Sequence, residues 1–529
     1  MRKTVQRSLS VILFCSSLAF AQTAVTTYQY DISRSGANTH ESTLTPSNVN
    51  VSQFGKMAVL SVQGYVYAQP LYVPNLVIGG TAHNVLFVAT EHDQVYAFDV
   101  SSHQQLWHAN FLMSTNPQIV INPVSSSDVN CGDLVPEIGI TGSPVIDTST
   151  NTLYVVAKTK ETNTQTHLTI FYHRVHALDI TTGRDKVSPR AVIAIARGNG
   201  TGSIGGTIAF NALLANQRPA LLLANGQVFV SWASHCDLGS YHGWLMSFDK
   251  NTLALTGVLL DTANGYEGGF WGGGSGTAAD SSGSIYASTG NGDYRVTANG
   301  IDYGDSVLRL NWSSSGITVT DYFTPWDQQT LDQNDTDVGS GGVALLPDQS
   351  GPHPHLLIQV GKEGTIDLID RDNMGHFHSG NDNQIVQTLP FAVGGVWGGP
   401  AFWNNNAYFG GQYDHLKVFA FNPQTEQLST NPTSSSPQAF SFPGPTPAIS
   451  SNGTSNGIAW IVETDTYPSG SAELRAYNAV SLGTELYNSE QNAGRDQAGL
   501  AVKFVVPVIA DGHVFVAAQN QVAIYGLLH

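Results

Sequence analysis

One unit recurs along this chain and leaves few folds open to it. It consists of small residues or a proline, an apolar strand, a turn, a second apolar strand, a polar turn, and a third strand ending near Ala-aromatic-Asp. The first copy is the plainest: Gln69-Pro70-Leu71-Tyr72-Val73, then Val85-Leu86-Phe87-Val88-Ala89, the turn Glu91-His92-Asp93, Val95-Tyr96-Ala97-Phe98-Asp99, and Leu106-Trp107. Later copies open at Ser143-Pro144, Arg218-Pro219, Gly276-Thr277, Gly341-Gly342, Gly399-Pro400, Thr446-Pro447 and Val506-Pro507. Their third strands end in Ala177-Leu178-Asp179, Ser247-Phe248-Asp249, Leu308-Arg309-Leu310, Leu368-Ile369-Asp370, Ala420-Phe421-Asn422 and Ala476-Tyr477-Asn478. A unit of three or four short strands cannot bury its apolar faces alone, so the copies must pack against one another.

About eight copies, spaced by roughly 47 to 75 residues, predict an all-β, eight-bladed β-propeller of four-stranded antiparallel blades with loops inserted between strands. The last copy ends at Val522-Ala523-Ile524-Tyr525 without a fourth strand, while an unassigned strand, Lys56-Met57-Ala58-Val59-Leu60, precedes the first. Pairing these two would complete the last blade and remove the exposed edges that a sheet otherwise has to protect. The 54 glycines and the abundance of turn residues leave few windows with helical periodicity.

Met1-Arg2-Lys3, the apolar run Val11-Ile12-Leu13-Phe14-Cys15 and the small-x-small Ala19-Phe20-Ala21 have the form of a signal peptide. The expected organisation is a signal peptide over 1–21 and one domain over 22–529, secreted or periplasmic. Cys15 is a poor lipobox cysteine, because bulky Phe14 precedes it. No later segment reaches the ~20 apolar residues of a membrane span. Of three cysteines one leaves with the signal, so Cys131 and Cys236 are either a single disulfide of an oxidising compartment or two free thiols. A formal net charge of −18 argues against nucleic acid or an anionic membrane as partner.

The turns between second and third strands are unusually polar: Glu91-His92-Asp93, Lys158-Thr159-Lys160-Glu161, Ser234-His235-Cys236-Asp237, Gly290-Asn291-Gly292-Asp293, Gly361-Lys362-Glu363-Gly364 and Tyr413-Asp414-His415. Loops carried on a rigid scaffold are where binding residues concentrate, so the face collecting these turns is the expected site. Within it, three further segments stand out: Gly268-Gly269-Phe270-Trp271-Gly272-Gly273-Gly274, Thr289-Gly290-Asn291 and Asp335-Thr336-Asp337-Val338-Gly339.

In order along the chain, these segments and Gly361-Lys362-Glu363-Gly364 resemble the site motifs of the quinoprotein alcohol and glucose dehydrogenases. These are eight-bladed propellers that hold pyrroloquinoline quinone and a calcium ion. The resemblance implies Asp237, in Cys236-Asp237-Leu238-Gly239, and Asn291 as calcium ligands. It also implies Trp271 as the platform under the quinone, Asp337 as metal ligand and catalytic base with Asp335 as its close competitor, and Lys362 against the quinone carbonyls. These residue types suit the chemistry. A hard cation takes oxygen ligands, a flat anionic quinone takes an aromatic platform and a cation, and a hydroxyl losing hydride must also lose a proton.

The departures are equally concrete. The adjacent-cysteine pair of many alcohol dehydrogenases is missing, Asp237 stands where they have a longer Glu, and Lys186-Val187-Ser188 follows Thr181-Thr182-Gly183 where the repeat would place a Trp, although Trp107 fits. No Cys-x-x-Cys-His haem motif occurs, so an enzyme of this kind would hand electrons to an external acceptor. The resemblance implies an exported dehydrogenase acting on an alcohol or sugar hydroxyl. Two other classes remain open: a non-catalytic propeller that binds protein or glycan, and a glycan-cleaving propeller using Glu137 with Asp465, or His235 or His242.

Overall fold

The computed structural model describes residues 23–296 and 301–528. The signal peptide expected over 1–21 lies outside the described residues. The chain is nearly all β, with only two short α-helices among the described residues, Gln328–Gln333 and Ala493–Asp496.

Among the described residues eight sheets have three or more strands, and they follow one another along the chain. Their first strands are Leu71–Ile78, Val145–Asp147, Leu222–Ala224, Ala278–Ala279, Ala344–Leu345, Ala401–Trp403, Ala448–Asn452 and Val508–Ala510. Each begins one to three residues after a repeat opening read from the sequence. The first sheet is the plain meander: Leu71–Ile78, Thr81–Thr90, Gln94–Asp99 and Gln105–Asn110 pair antiparallel in that order. Phe54–Tyr65 pairs antiparallel with the second half of His513–Leu527, with Lys56 opposite Tyr525 and Ala58 opposite Ile524.

Apolar clusters join each sheet to the next. Phe87 and Val155 share one between the first and second sheets, and Val175 and Val230 one between the second and third. The series continues through Phe229 with Leu308, Tyr286 with Leu357, Ile358 with Phe409, and Tyr408 with Ile461. The largest cluster combines residues of the seventh, eighth and first sheets: Trp460, Phe515 and Leu86. Alternation along each strand gives every sheet two apolar faces, and each face finds a neighbour. Trp107 reaches into the following sheet, where its indole Nε1 donates to Ile180 O at 2.8 Å. A Cβ on Gly183 would stand 2.4 Å from the Trp107 ring, so the Thr181-Thr182-Gly183 turn needs its glycine to receive the tryptophan.

Two features depart from the reading of the sequence. Lys158-Thr159-Lys160-Glu161 is not a turn but part of the strand Thr152–Asn163, which runs on to pair with Ile119–Ser125. An inserted strand offers new backbone partners there, and Lys158 is buried with its ammonium on Leu213 O, Ala215 O and His235 Nε2. Outside the eight sheets, two hairpins, Ile195–Arg197 with Thr207–Ala209 and Tyr294–Arg295 with Asp302–Tyr303, account for part of the long repeat spacing.

The segment between the signal and the first strand, unassigned from the sequence, holds the sheets together. Val25 exchanges two 2.8 Å backbone bonds with Tyr72, and Thr26 O accepts from Ile146 N. Ile32, Ser33, Ser35 and Gly36 carbonyls accept from Ala279, Leu345, Phe402 and Ile449 amides, at 2.7–2.9 Å. Arg34 reaches Leu221 O, and Asn38 reaches Ile509 O. One stretch of 14 residues thus bonds the first strand, or the residue just before it, in all eight sheets. Arg34 is wholly buried; its guanidinium also donates to Thr277 O, Thr27 Oγ1 and Tyr28 O. Burial pulls its pKa down to about 10, with Asp31 and Tyr28 opposing.

Arg34→Met should therefore leave three carbonyls without a donor and lower the free energy of unfolding by about 3–5 kcal/mol. Urea denaturation of Arg34→Met and Arg34→Lys against wild type measures this. Lys, with fewer donors and no planar fork, should recover only part of the loss.

Candidate functional site

Four of the six site residues taken from the sequence line one cavity of about 190 Å³: Asp237, Trp271, Asp337 and Lys362. The third sheet contributes Asp237, just beyond its strand Gln227–Ser234. Cys236 and Asp237 both have φ of 52°, and Cys236 is disulfide-bonded to Cys131 across 105 residues with Cα atoms 5.8 Å apart. Of the two alternatives left by the sequence, the disulfide is the one observed, and Cys236 lines the cavity. Asp237 Oδ1 accepts from Tyr241 Oη at 2.6 Å and from Ser234 Oγ at 3.1 Å, which orients the carboxylate although the residue is exposed.

Glycines let the fourth and fifth sheets close on each other. A Cβ on Gly290 would stand 2.1 Å from Asp337 Oδ1 and 2.7 Å from Trp271 Cδ1, so only glycine lets the indole, the Thr-Gly-Asn turn and the carboxylate meet. Gly339 fits against Thr289, and Gly361 against the Asp337 carbonyl, for the same reason. Asn291 N then donates to Asp337 Oδ1 at 2.8 Å, and Asn291 Nδ2 to Asp335 Oδ1 at 2.9 Å. Lys362 Nζ lies between the two acids, 2.5 Å from Asp337 Oδ2 and 2.6 Å from Asp335 Oδ1.

Asn291 and Asp335, the other two expected site residues, thus join the site through these bonds rather than as cavity walls. Two buried polar atoms here have no partner: the Asn291 amide oxygen and the Trp271 indole nitrogen.

The charges are unevenly matched. Burial raises the Asp337 carboxyl, with Asp237 adding to the rise and Lys362 and the Asn291 amide opposing it. Burial works against the Lys362 ammonium, but Asp337 and Asp335 outweigh it and raise its pKa. Glu267, a neighbour that the sequence did not single out, is pushed up to about 7 by burial and then by Asp237, Asp332, Asp337 and Asp335. A further positive charge is thus the natural complement to this cluster. Among the described residues no three His, Cys, Asp or Glu side chains could hold a metal by themselves. Any cation here would use the amide oxygen of Asn291 beside the carboxylates, an all-oxygen donor set suited to a hard ion.

The sequence also missed the far wall, which is made of Arg218, Asp133, Trp397, Phe442 and Phe504. Arg218 is buried, donates to Trp397 O at 3.0 Å and stacks 3.8 Å from the Phe504 ring centroid. Trp397 meets Phe442 edge to face at 5.2 Å. Arg218-Pro219 was legible only as a repeat opening; its guanidinium carried no local signal. The glycan-cleavage candidates do not line this cavity. Glu137 pairs with His92 at 2.6 Å, Asp465 accepts from Ser441 N, His235 bonds Lys158, and His242 bonds Thr262 Oγ1 and Thr201 O.

Two indoles, three carboxylates, a lysine, an arginine and a disulfide cysteine around one cavity, on sheets that all share a central segment, define a cofactor-sized site on a repeat-built all-β scaffold. No family model matches the sequence, and no curated protein does. Solved structures do.

The chain superimposes on the quinohemoprotein alcohol dehydrogenase of Comamonas testosteroni with a TM-score of 0.64 and 13% identity, over 96% of this chain and 81% of that one. For the quinohemoprotein alcohol dehydrogenase ADHIIG of Pseudomonas putida HK5 the values are 0.57 and 14%, over 96% and 80%. For a europium-containing methanol dehydrogenase they are 0.57 and 11%, over 96% and 98%. The fold is the β-propeller of these quinoproteins.

One outcome tests the site as described, and a second tests the first of the polar turns. Gly290→Ala should force Asp337 and Trp271 apart, and a crystal structure or tryptophan fluorescence should show the indole displaced. Glu91, in the first polar turn, is buried and raised to about 7, chiefly by burial, while Gly139 N and Thr141 Oγ1 lower it. Its folded pKa exceeds its unfolded one, so its share of stability is complete below about 4.5 and is lost as pH rises through about 7. Wild type should therefore lose stability relative to Glu91→Gln between pH 5 and pH 8 in thermal unfolding; parallel curves would remove the effect.

Proposed function

We propose that the chain is an exported, quinone-dependent dehydrogenase that oxidises an alcohol, with Asp337 as the base. The observation that carries this reading is the single cavity joining Trp271, Asp237, Asp337 and Lys362 on a fold shared with alcohol and methanol dehydrogenases. We read the eight sheets as eight blades, and the pairing of Phe54–Tyr65 with His513–Leu527 as the joint that closes the ring. The disulfide supports an oxidising compartment. No helix among the described residues is long and apolar enough to cross a membrane.

The residues fit the implied groups. Asp237, the unpartnered Asn291 Oδ1 and Asp337 would hold calcium; Trp271 would carry the pyrroloquinoline quinone, with Lys362 against its carbonyls and Arg218 suited to its acidic groups. When bound, the quinone supplies the two-electron acceptor, and the calcium supplies Lewis-acid polarisation.

This chain's residues supply the rest. Asp337 accepts the hydroxyl proton on a carboxylate oxygen as the adjacent carbon gives up hydride. Asn291 N and Lys362 Nζ each bond one of its oxygens, which opposes the rise that burial gives its pKa and fixes its direction. Asp335 shares Lys362 and so positions the lysine. Trp397, Phe442 and Phe504 form an apolar wall that suits a small alcohol and limits water. Electrons leave to an external acceptor.

The test is reconstitution of the full chain with pyrroloquinoline quinone and calcium, with europium as a second metal because one similar structure contains it. Dye reduction is then followed over a panel of alcohols. Activity should appear only with both quinone and metal. Asp337→Asn should lower kcat by about 10²-fold or more, and Trp271→Ala should weaken quinone binding by about 3- to 10-fold. No quinone binding and no dye reduction with either metal would overturn the reading.

A further inference from the structure

Asn291 and Asp337, both assigned to the metal, lie on loops of two different sheets. The side-chain bonds between these loops, from Asn291 to Asp337 and Asp335, use the candidate ligands themselves. A cation taking oxygens from those residues would compete for the same atoms. One further link between the loops avoids the ligand atoms, and a single residue makes it: Asp305.

Asp305 stands just before the strand Val307–Ser313 of the fourth sheet, after the hairpin of Tyr294–Arg295 with Asp302–Tyr303. Its backbone N donates to Gly290 O at 2.8 Å, one residue before Asn291. Its side-chain Oδ1 accepts from Val338 N at 3.1 Å, one residue after Asp337. Asp337 precedes the short 3-10 turn Val338–Ser340 without a capping bond from its own side chain, so the first donor of that turn relies on Asp305. The near end of the link is rigid. Gly304 N donates to Asp293 O at 2.9 Å, and a Cβ on Gly304 would stand 2.1 Å from Gly292 O. Residues 304 and 305 thus hold the chain on both sides of Asn291.

Asp305 is wholly buried and has a φ of 50°, in the left-handed region. A non-glycine residue keeps that conformation only where its surroundings impose it, and such positions cluster at functional sites. It does not line the cavity of Trp271 and Lys362. We infer that Asp305 is a positioning residue, which sets the spacing of Asn291 Oδ1 from the Asp337 carboxylate and so the coordination offered to the metal. This rests on the function proposed above. A residue that merely fastened a loop would affect stability and leave the metal's surroundings as they are.

Three variants separate these roles. Asp305→Gly removes the acceptor and relieves the positive φ, and Asp305→Ala removes it without adding backbone freedom. Asp305→Asn keeps an oxygen for Val338 N and tolerates the same φ. Burial, and then the Asp337 charge, hold the Asp305 carboxyl well above its ordinary range, so an amide is close to it in charge as well as shape.

The full chain without quinone is titrated with europium chloride. Luminescence intensity gives the affinity, and decay times in H2O and D2O count the waters on the ion. Loss of signal in Asn291→Ala identifies the ions bound at the site, and thermal unfolding checks that each variant is folded. Asp305→Gly and Asp305→Ala should weaken europium by about 10- to 100-fold. They should also add about one bound water, because a misplaced ligand opens a coordination position. Asp305→Asn should restore the wild-type decay and come within about threefold of wild-type affinity. Wild-type affinity and decay in the truncations would overturn the inference, and so would an equal loss in Asp305→Asn. No europium signal in wild type that Asn291→Ala removes would overturn the metal reading itself, and this inference with it.

Discussion

Every sheet of this protein depends on one extended segment. Eight separate meanders have no covalent reason to stay in register with each other, and their lateral contacts are apolar and non-directional. The stretch from Val25 to Asn38 supplies direction: it gives each sheet at least one hydrogen bond where its first strand begins or runs, and Arg34 anchors the stretch in a wholly buried position. A buried guanidinium without carboxylate partners survives only because backbone and hydroxyl oxygens surround it. The apolar clusters set the spacing of the sheets, and this segment sets their common centre.

The candidate site follows from that centre. Once the fourth and fifth sheets are fixed side by side, the loops above them have room for only the smallest residue at the points of closest approach. Gly290, Gly339 and Gly361 are those points. Their value lies in what they let meet: the Trp271 indole, the Asn291 amide and the Asp337 carboxylate converge through backbone contacts that any Cβ would block. Side chains recruited from three sheets then share one cavity without being neighbours in sequence.

Much of this was legible in the residues. The repeat openings such as Ser143-Pro144 and Thr446-Pro447 mark the first strands to within a few residues, because a proline that cannot donate to a ladder and small residues that allow close approach are required where a strand enters a crowded centre. The pairing of Lys56 with Tyr525 follows from the same logic of unpaired edges. The central segment was not legible: the stretch from Val25 to Asn38 has no periodicity, because it bonds to eight different sheets and presents no constant face. Lys158 was misread as a turn residue because a lysine usually marks solvent, whereas here carbonyls and an imidazole replace the water. Arg218 and the aromatic wall were invisible for a related reason: they come from distant loops, and only the folded arrangement of the sheets brings them to Trp271 and Lys362.

The disulfide shows how a turn in an unfavourable backbone conformation can be held from a distance. The turn carrying Asp237 places two consecutive non-glycine residues, Cys236 and Asp237, at positive φ. Such geometry costs about 1–3 kcal/mol per residue and persists only where the surroundings impose it. The bond from Cys236 to Cys131 is that constraint, reinforced by the Tyr241 and Ser234 hydroxyls on the Asp237 carboxylate. The covalent link spans 105 residues, so a distant part of the chain holds the turn that carries Asp237, and Cys236 lines the same cavity. The disulfide and the two hydroxyls together fix where this carboxylate sits.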